Sequence, residues 1–159
     1  MEVGIADIVV LHTLLSHVPD QSAILDETRR LLKSSGQLAV CDADFSKTSV
    51  AIGDGDPLQT CVEVWLEGNV TDRWLSPRLP GLLKSKGFEV KLFKGHNRVD
   101  ITGISTGPIW VNMGANAMVE RGLIDEATAE ALKQECQRRI DDGQFYAALP
   151  FVTAIAHKA

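Results

Sequence analysis

The chain has 159 residues, 45% apolar and 23% charged, a composition that excludes a disordered tract and predicts one globular domain with a sizeable core over 1–159. Its net charge of −5, with acidic and basic residues interspersed, argues against nucleic-acid or anionic-membrane surfaces. No apolar run approaches the ~18 residues of a membrane span, and Met1-Glu2-Val3-Gly4 has no basic region to open a signal peptide, so a cytoplasmic protein is expected. Asp7-Ile8-Val9-Val10-Leu11-His12 reads as a strand buried on both faces, a pattern of parallel sheets. Only six residues precede it, so the sheet is expected to lack some companions on that side.

Asp20 is a predicted cap for a helix over Gln21–Lys33, with Ile24, Leu25, Thr28, Leu31 and Leu32 on one face and Gly36 as its left-handed stop. Gln37–Cys41 is the second strand, and Asp42-Ala43-Asp44 marks its carboxyl end. Strand, helix and strand within about forty residues make a right-handed parallel crossover. After a Gly- and Asp-rich loop, Asp56-Pro57 starts a helix patterned by Leu58, Cys61, Val62, Trp65 and Leu66. Ser76-Pro77 starts a short helix with Leu79, Leu82 and Leu83 inward, which Gly87 closes. Glu89–Gly95 is the third strand, and Asn97–Gly107 reads as loop with room for an extended piece at Val99–Ile101. Helices follow over Pro108–Arg121 and Glu126–Asp142, the second with Ala129, Leu132, Cys136 and Ile140 on one face. Phe145–Ala156 is the last strand candidate, broken or bent at Pro150, which suggests a strand over about Phe151–Ala156. Cys41, Cys61 and Cys136 each sit in apolar patterns and predict buried thiols rather than a disulfide or a metal site.

Several of these segments carry a resemblance. Asp7-Ile8-Val9-Val10, Leu15-Ser16-His17-Val18-Pro19-Asp20, and Arg30-Leu31-Leu32-Lys33-Ser34-Ser35-Gly36-Gln37-Leu38-Ala39-Val40 resemble the middle of a class I S-adenosylmethionine (SAM) dependent methyltransferase, in the group that includes quinone-biosynthesis and other small-molecule enzymes. Ser34-Ser35-Gly36 stands where that group has Pro-Gly-Gly. Leu82-Leu83-Lys84-Ser85-Lys86-Gly87-Phe88-Glu89-Val90 resembles the family's turn into its sixth strand. The resemblance implies an α/β, Rossmann-like sheet ordered 3-2-1-4-5-7-6 with the last strand antiparallel. On that template this chain supplies strands 4, 5, 6 and 7 with flanking helices, a truncated fold without the cofactor-binding half. No Gly-x-Gly follows a strand; Gly53-Asp54-Gly55 reads as a turn.

The same resemblance implies SAM as cofactor, a small-molecule methyl acceptor, and in-line displacement driven chiefly by proximity and orientation. His12, Thr13 and His17, near the carboxyl end of the first strand, become cofactor-binding candidates, although a strand end bonded to its own loops explains them equally simply. Asp42 and Asp44 alternate at the next strand end and are candidates for the acceptor side, or simply solvate and cap that end. Trp110 is a further acceptor candidate, with core packing as its plainer role; Trp65 and Trp74 read as packing residues. His96 reads as a solvated loop histidine, and Glu126, Glu130, Lys133, Glu135, Arg138 and Arg139 as a solvated helix face. No metal set with usable spacing is present, and no catalytic residue is assigned. The isolated chain is expected to be inactive. It is expected to act as a homodimer or with a complementing N-terminal half, the alternative being a non-enzymatic domain that self-associates through its first strand.

Overall fold

A computed structural model describes residues 4–159. The expectation for Met1–Val3 lies outside the described residues. The elements are β1 (Ala6–His12), α1 (Gln21–Leu31), β2 (Leu32–Ala43), α2 (Pro57–Asn69), α3 (Leu75–Ser85), β3 (Phe88–Asp100), α4 (Gly107–Glu120), α5 (Glu126–Asp141) and β4 (Ala147–Lys158). The chain forms two compact units. One comprises residues up to Ser46 with Val70–His96 and Pro150–Ala159; the other comprises Lys47–Asn69 with Asn97–Leu149.

The sheet order is β1-β2-β4-β3. β1 runs parallel to β2, and β4 runs antiparallel to β2, with Gln37 opposite His157 and Ala43 opposite Phe151. This is the expected 4-5-7-6 order with its antiparallel last strand.

In the first unit, Leu25 of α1 and Leu75, Leu79 and Leu83 of α3 share a core with Leu38 and Val40 of β2, Phe88 of β3, and Val152, Ala154 and Ala156 of β4. Asp20 caps α1 as expected, accepting from the Ala23 N–H at 2.9 Å. Gly87 closes α3 with φ +71°, a region that costs a residue with a side chain.

Several expectations are corrected. β1 is an edge strand: Leu11 is buried and Val9 half-buried, while Ile8 and Val10 are 60% and 63% exposed. The unbroken apolar run Ile8–Leu11 is therefore covered on one face only. Gly36 does not stop α1. The helix ends at Leu31, and Gly36 lies within β2, where a Cβ would come 2.9 Å from Leu32 Cδ2 and 3.1 Å from Ala6 O. Close approach of Leu32 and of the Lys33 and Ala6 carbonyls, not a left-handed cap, explains this glycine. β3 continues through the predicted loop to Asp100, and β4 runs through Pro150 without a break. Pro150 can sit there because its carbonyl, not the missing N–H, makes the contact, accepting from Asp44 N–H at 2.8 Å. Trp74 is no packing residue; it precedes α3 and is mostly exposed.

The second unit packs α4 against α2 and α5. Gly114 makes the closest approach: a Cβ there would lie 1.9 Å from the backbone oxygen of Cys61. Trp65 and Trp110 stack with ring centres 4.9 Å apart. Arg139, expected on the solvated stripe of α5, is instead 6% exposed and paired with Asp56. Cys61 and Cys136 are buried, whereas Cys41 is only half-buried; all three are free thiols.

Candidate functional site

β1 and β2 end side by side, where the open ends of parallel strands gather ligands. His12 is exposed at that end, with Thr13 half-exposed beside it. Thr13 Oγ1 and His12 Nδ1 hydrogen-bond at 2.9 Å, and Thr13 N–H donates to Cys41 O at 2.8 Å. Thr13 has φ +47°, the one positive φ outside glycine among the described residues. For a β-branched residue this is a strained backbone, of the kind that persists only where neighbours enforce it.

Cys41 holds the Thr13 amide, and the next residue, Asp42, fixes the loop that follows Thr13. The buried Asp42 carboxylate accepts from Leu15 N–H (2.9 Å), Ser16 N–H (3.3 Å), Ser16 Oγ–H (2.7 Å) and Ala43 N–H (2.9 Å). All its strong acceptor directions point at protein donors, so Asp42 anchors the loop after β1. Asp44 is half-buried and accepts from Ser46 Oγ–H at 2.5 Å. His17 lies on the same loop, exposed, edge-on to Phe45 with ring centres 5.5 Å apart. The first unit therefore brings together His12, Thr13, His17, Asp42 and Asp44, four of them with exposed or half-exposed side chains. His96 is exposed on β3 and lies flat against Phe151, with ring centres 5.5 Å apart.

Trp110 belongs to the second unit, where it is buried on Trp65. It also lines a cavity of about 10 Å³ together with Thr48, Arg98, Ser105, Thr106 and Gly107. Asp100 shapes this loop. It accepts from Thr102 N–H and Oγ1–H, Gly103 N–H and Ser105 N–H at 2.7 to 3.1 Å. Burial works to raise its pKa, but the Ser105 and Thr102 hydrogen bonds overcome that and hold it well below the usual carboxylate range. The sequence reading missed Thr48 and Ser105. Neither lies in a pattern, and a lone hydroxyl in a loop carries no signal.

No group of three or more His, Cys, Asp or Glu side chains among the described residues is arranged to hold a metal ion. For SAM, the residues present make one wall rather than a whole site. The end of β1 offers exposed polar groups, but no glycine loop follows a strand, and Asp42 has no acceptor direction left for a ribose hydroxyl.

Comparison with known proteins agrees with this architecture. Residues 2–40, well under half of the chain, match the family model described as a methyltransferase domain. Nothing among curated protein sequences matches it. Among solved structures, a Bacillus halodurans C-125 protein described as a methyltransferase superposes with a TM-score of 0.58 at 18% identity, covering 99% of this chain and 66% of that one. The MccD protein gives 0.51 at 14% identity, covering 100% and 63%. YcgJ from Bacillus subtilis gives 0.50 at 14%, covering 99% and 66%. The chain thus spans just under two thirds of each of these structures. At such identities the likeness establishes the fold, which is the α/β, Rossmann-like arrangement of methyltransferases.

Proposed function

We propose that the chain forms the strand 4-to-7 portion of a SAM-dependent methyltransferase that transfers a methyl group to a small molecule in the cytoplasm. In this reading catalysis needs further polypeptide, a complementing N-terminal half that brings the glycine loop and the ribose-binding acid. The observation that carries it is β4, inserted antiparallel between β2 and β3, in a chain whose residues 2–40 match a methyltransferase domain. His12, Thr13 and His17 are then the wall that meets the methionine part of the cofactor. Asp44, and Trp110 in the second unit, are the acceptor-side candidates. Asp42 serves them indirectly by fixing the loop.

The test is titration of the intact chain with S-adenosylhomocysteine, followed by calorimetry and amide NMR. Weak, millimolar perturbation confined to His12–His17 is expected. Micromolar binding by the chain alone overturns the need for a further segment. Silence at His12–His17 at saturating ligand overturns the cofactor wall.

A second reading, a homodimer paired through β1, rests on the unpaired edge of that strand and the exposed Ile8 and Val10. Light scattering tests it: a monodisperse monomer rejects the pairing, and a dimer dispersed by Val10→Lys supports it.

A further inference from the structure

We propose that the small cavity at the start of α4 is an oxyanion site, which seats one oxygen of a carboxylate or phosphate group belonging to a small ligand. Four observations in the second unit converge there. Thr48 is 5% exposed, and its hydroxyl has no hydrogen-bond partner among the described residues. A buried hydroxyl left unpaired is costly, so its presence in the cavity wall calls for a partner the protein itself does not provide. Arg98, on the same wall, is exposed and makes no ion pair among the described residues. α4 begins at Gly107 without a side-chain cap: Thr106 makes no capping bond, and Gly107 N–H reaches only Ser105 Oγ at a long 3.5 Å. Pro108 has no N–H and Trp110 N–H donates to Thr106 O at 3.0 Å, so the Gly107 and Ile109 amides are the donors that this fourteen-residue helix start offers, together with the positive end of its dipole. Finally, Thr106 brings a further hydroxyl to the cavity rim, while that of Ser105 is engaged with Asp100.

The side chains lining the cavity include the Arg98 guanidinium and no carboxylate. Asp100, at the end of β3 and not part of the cavity lining, has its carboxylate engaged by four donors of the loop before α4. Its charge opposes an incoming anion, which makes the Arg98 guanidinium the necessary counterweight. Volume sets the mode of binding. A cavity of about 10 Å³ admits one water-sized atom, so a single oxygen enters while the rest of the ligand stays outside beside Arg98. Packing holds the helix start in place, because a Cβ at Gly107 would come 2.9 Å from Ala147 Cβ and 3.2 Å from Phe145 Cζ. The site does not depend on methyl transfer; it bears on the acceptor only in that Trp110 lines the same cavity.

The experiment is amide NMR titration of the intact chain with inorganic phosphate, and separately with acetate, at low ionic strength. The expected result is saturable shifts at residues 48–50, 98 and 105–110. Arg98→Gln and Thr48→Val should each weaken binding about tenfold. Response to one probe and not the other supports the site and assigns its ligand as phosphate or carboxylate. Thr48→Val supplies an independent readout, since removing a truly unpaired hydroxyl should raise Tm of the anion-free chain. Scattered or non-saturating shifts, affinity unchanged in both variants, or a lower Tm for Thr48→Val would overturn the proposal.

Discussion

Arg139 and Asp56, 83 residues apart, meet in a two-point contact: Arg139 Nη1–H donates to Asp56 Oδ2 at 2.5 Å and Nη2–H to Oδ1 at 3.2 Å. Asp56 also accepts from Ile52 and Leu58 N–H groups, tying the preceding loop and the start of α2 to α5. Both side chains are buried. Arg139→Ala leaves the carboxylate without its counter-charge and should cost the second unit about 3–5 kcal/mol, read by urea denaturation. Arg139→Met paired with Asp56→Leu should recover much of that loss.

Acid should reveal the same contact. Burial works to raise the pKa of Asp56, and the Arg139 hydrogen bonds together with those from Ile52 and Leu58 N–H and the Arg139 charge outweigh it, so the folded value lies below the ordinary one. Glu135 is also held low, at about 2, by Arg138 and then Arg139. A depressed carboxylate pKa contributes stability that is complete above the unfolded value of about 4 and is lost as pH falls through the folded one. Unfolding midpoints should therefore hold steady from pH 7 to about 5 and decline below about 4. Arg139→Met should flatten that decline.

Asp42 predicts a local effect. Asp42→Ala removes the acceptor for Leu15 N–H, Ser16 N–H and Ser16 Oγ–H, and should cost about 2–4 kcal/mol. Hydrogen exchange should accelerate first at Leu15 and Ser16. Thr13, with the loop after it released, should then leave its left-handed conformation, which the 3J coupling of its amide reports.

Gly114 tolerates no side chain. Gly114→Ala sets a methyl against the Cys61 backbone, which cannot swing aside as a flexible side chain would, and should cost about 3 kcal/mol or more in denaturant unfolding. Gly53→Ala, with nothing within 4 Å of its Cβ position, is the control and should be near neutral.

The thiols should separate by reactivity. Burial pushes the Cys136 thiol up to about 11 and raises Cys61 as well. Little thiolate is then present at pH 8, so both should resist a disulfide reagent until the second unit unfolds. Cys41, half-buried on β2, should react in the folded protein.

The strand order was legible only through the resemblance of segments such as Leu15–Asp20 and Arg30–Val40 to a family whose template carries that order; caps and apolar runs marked the elements, not their neighbours. What covers each strand was not. Ile8 and Val10 carry the same letters whether a neighbour hides them or water meets them, and only the sheet's edge distinguishes the two. Gly36 shows a related ambiguity: a glycine after a helix reads as a stop, while here it sits inside β2, against the start of its own strand and the parallel strand beside it. Arg139 and Asp42 exercise their roles on partners 83 and 26 or 27 residues away, beyond the reach of any local pattern. At the strand ends the alternation placed Asp42 and Asp44 together, but it did not show that one is consumed in holding a loop while the other stays half open.

β4 carries a consequence for how the molecule is made. It is the last described element to leave the ribosome, yet it lies between β2 and β3, and Lys158 closes back on Leu32 across 126 residues. Until it arrives, two strands synthesised long before have no neighbour along the flank it will fill. Maturation of this sheet is therefore obligatorily late and slow, and a nascent chain stalled before Ala147 should be a substrate for chaperones rather than a partly working protein.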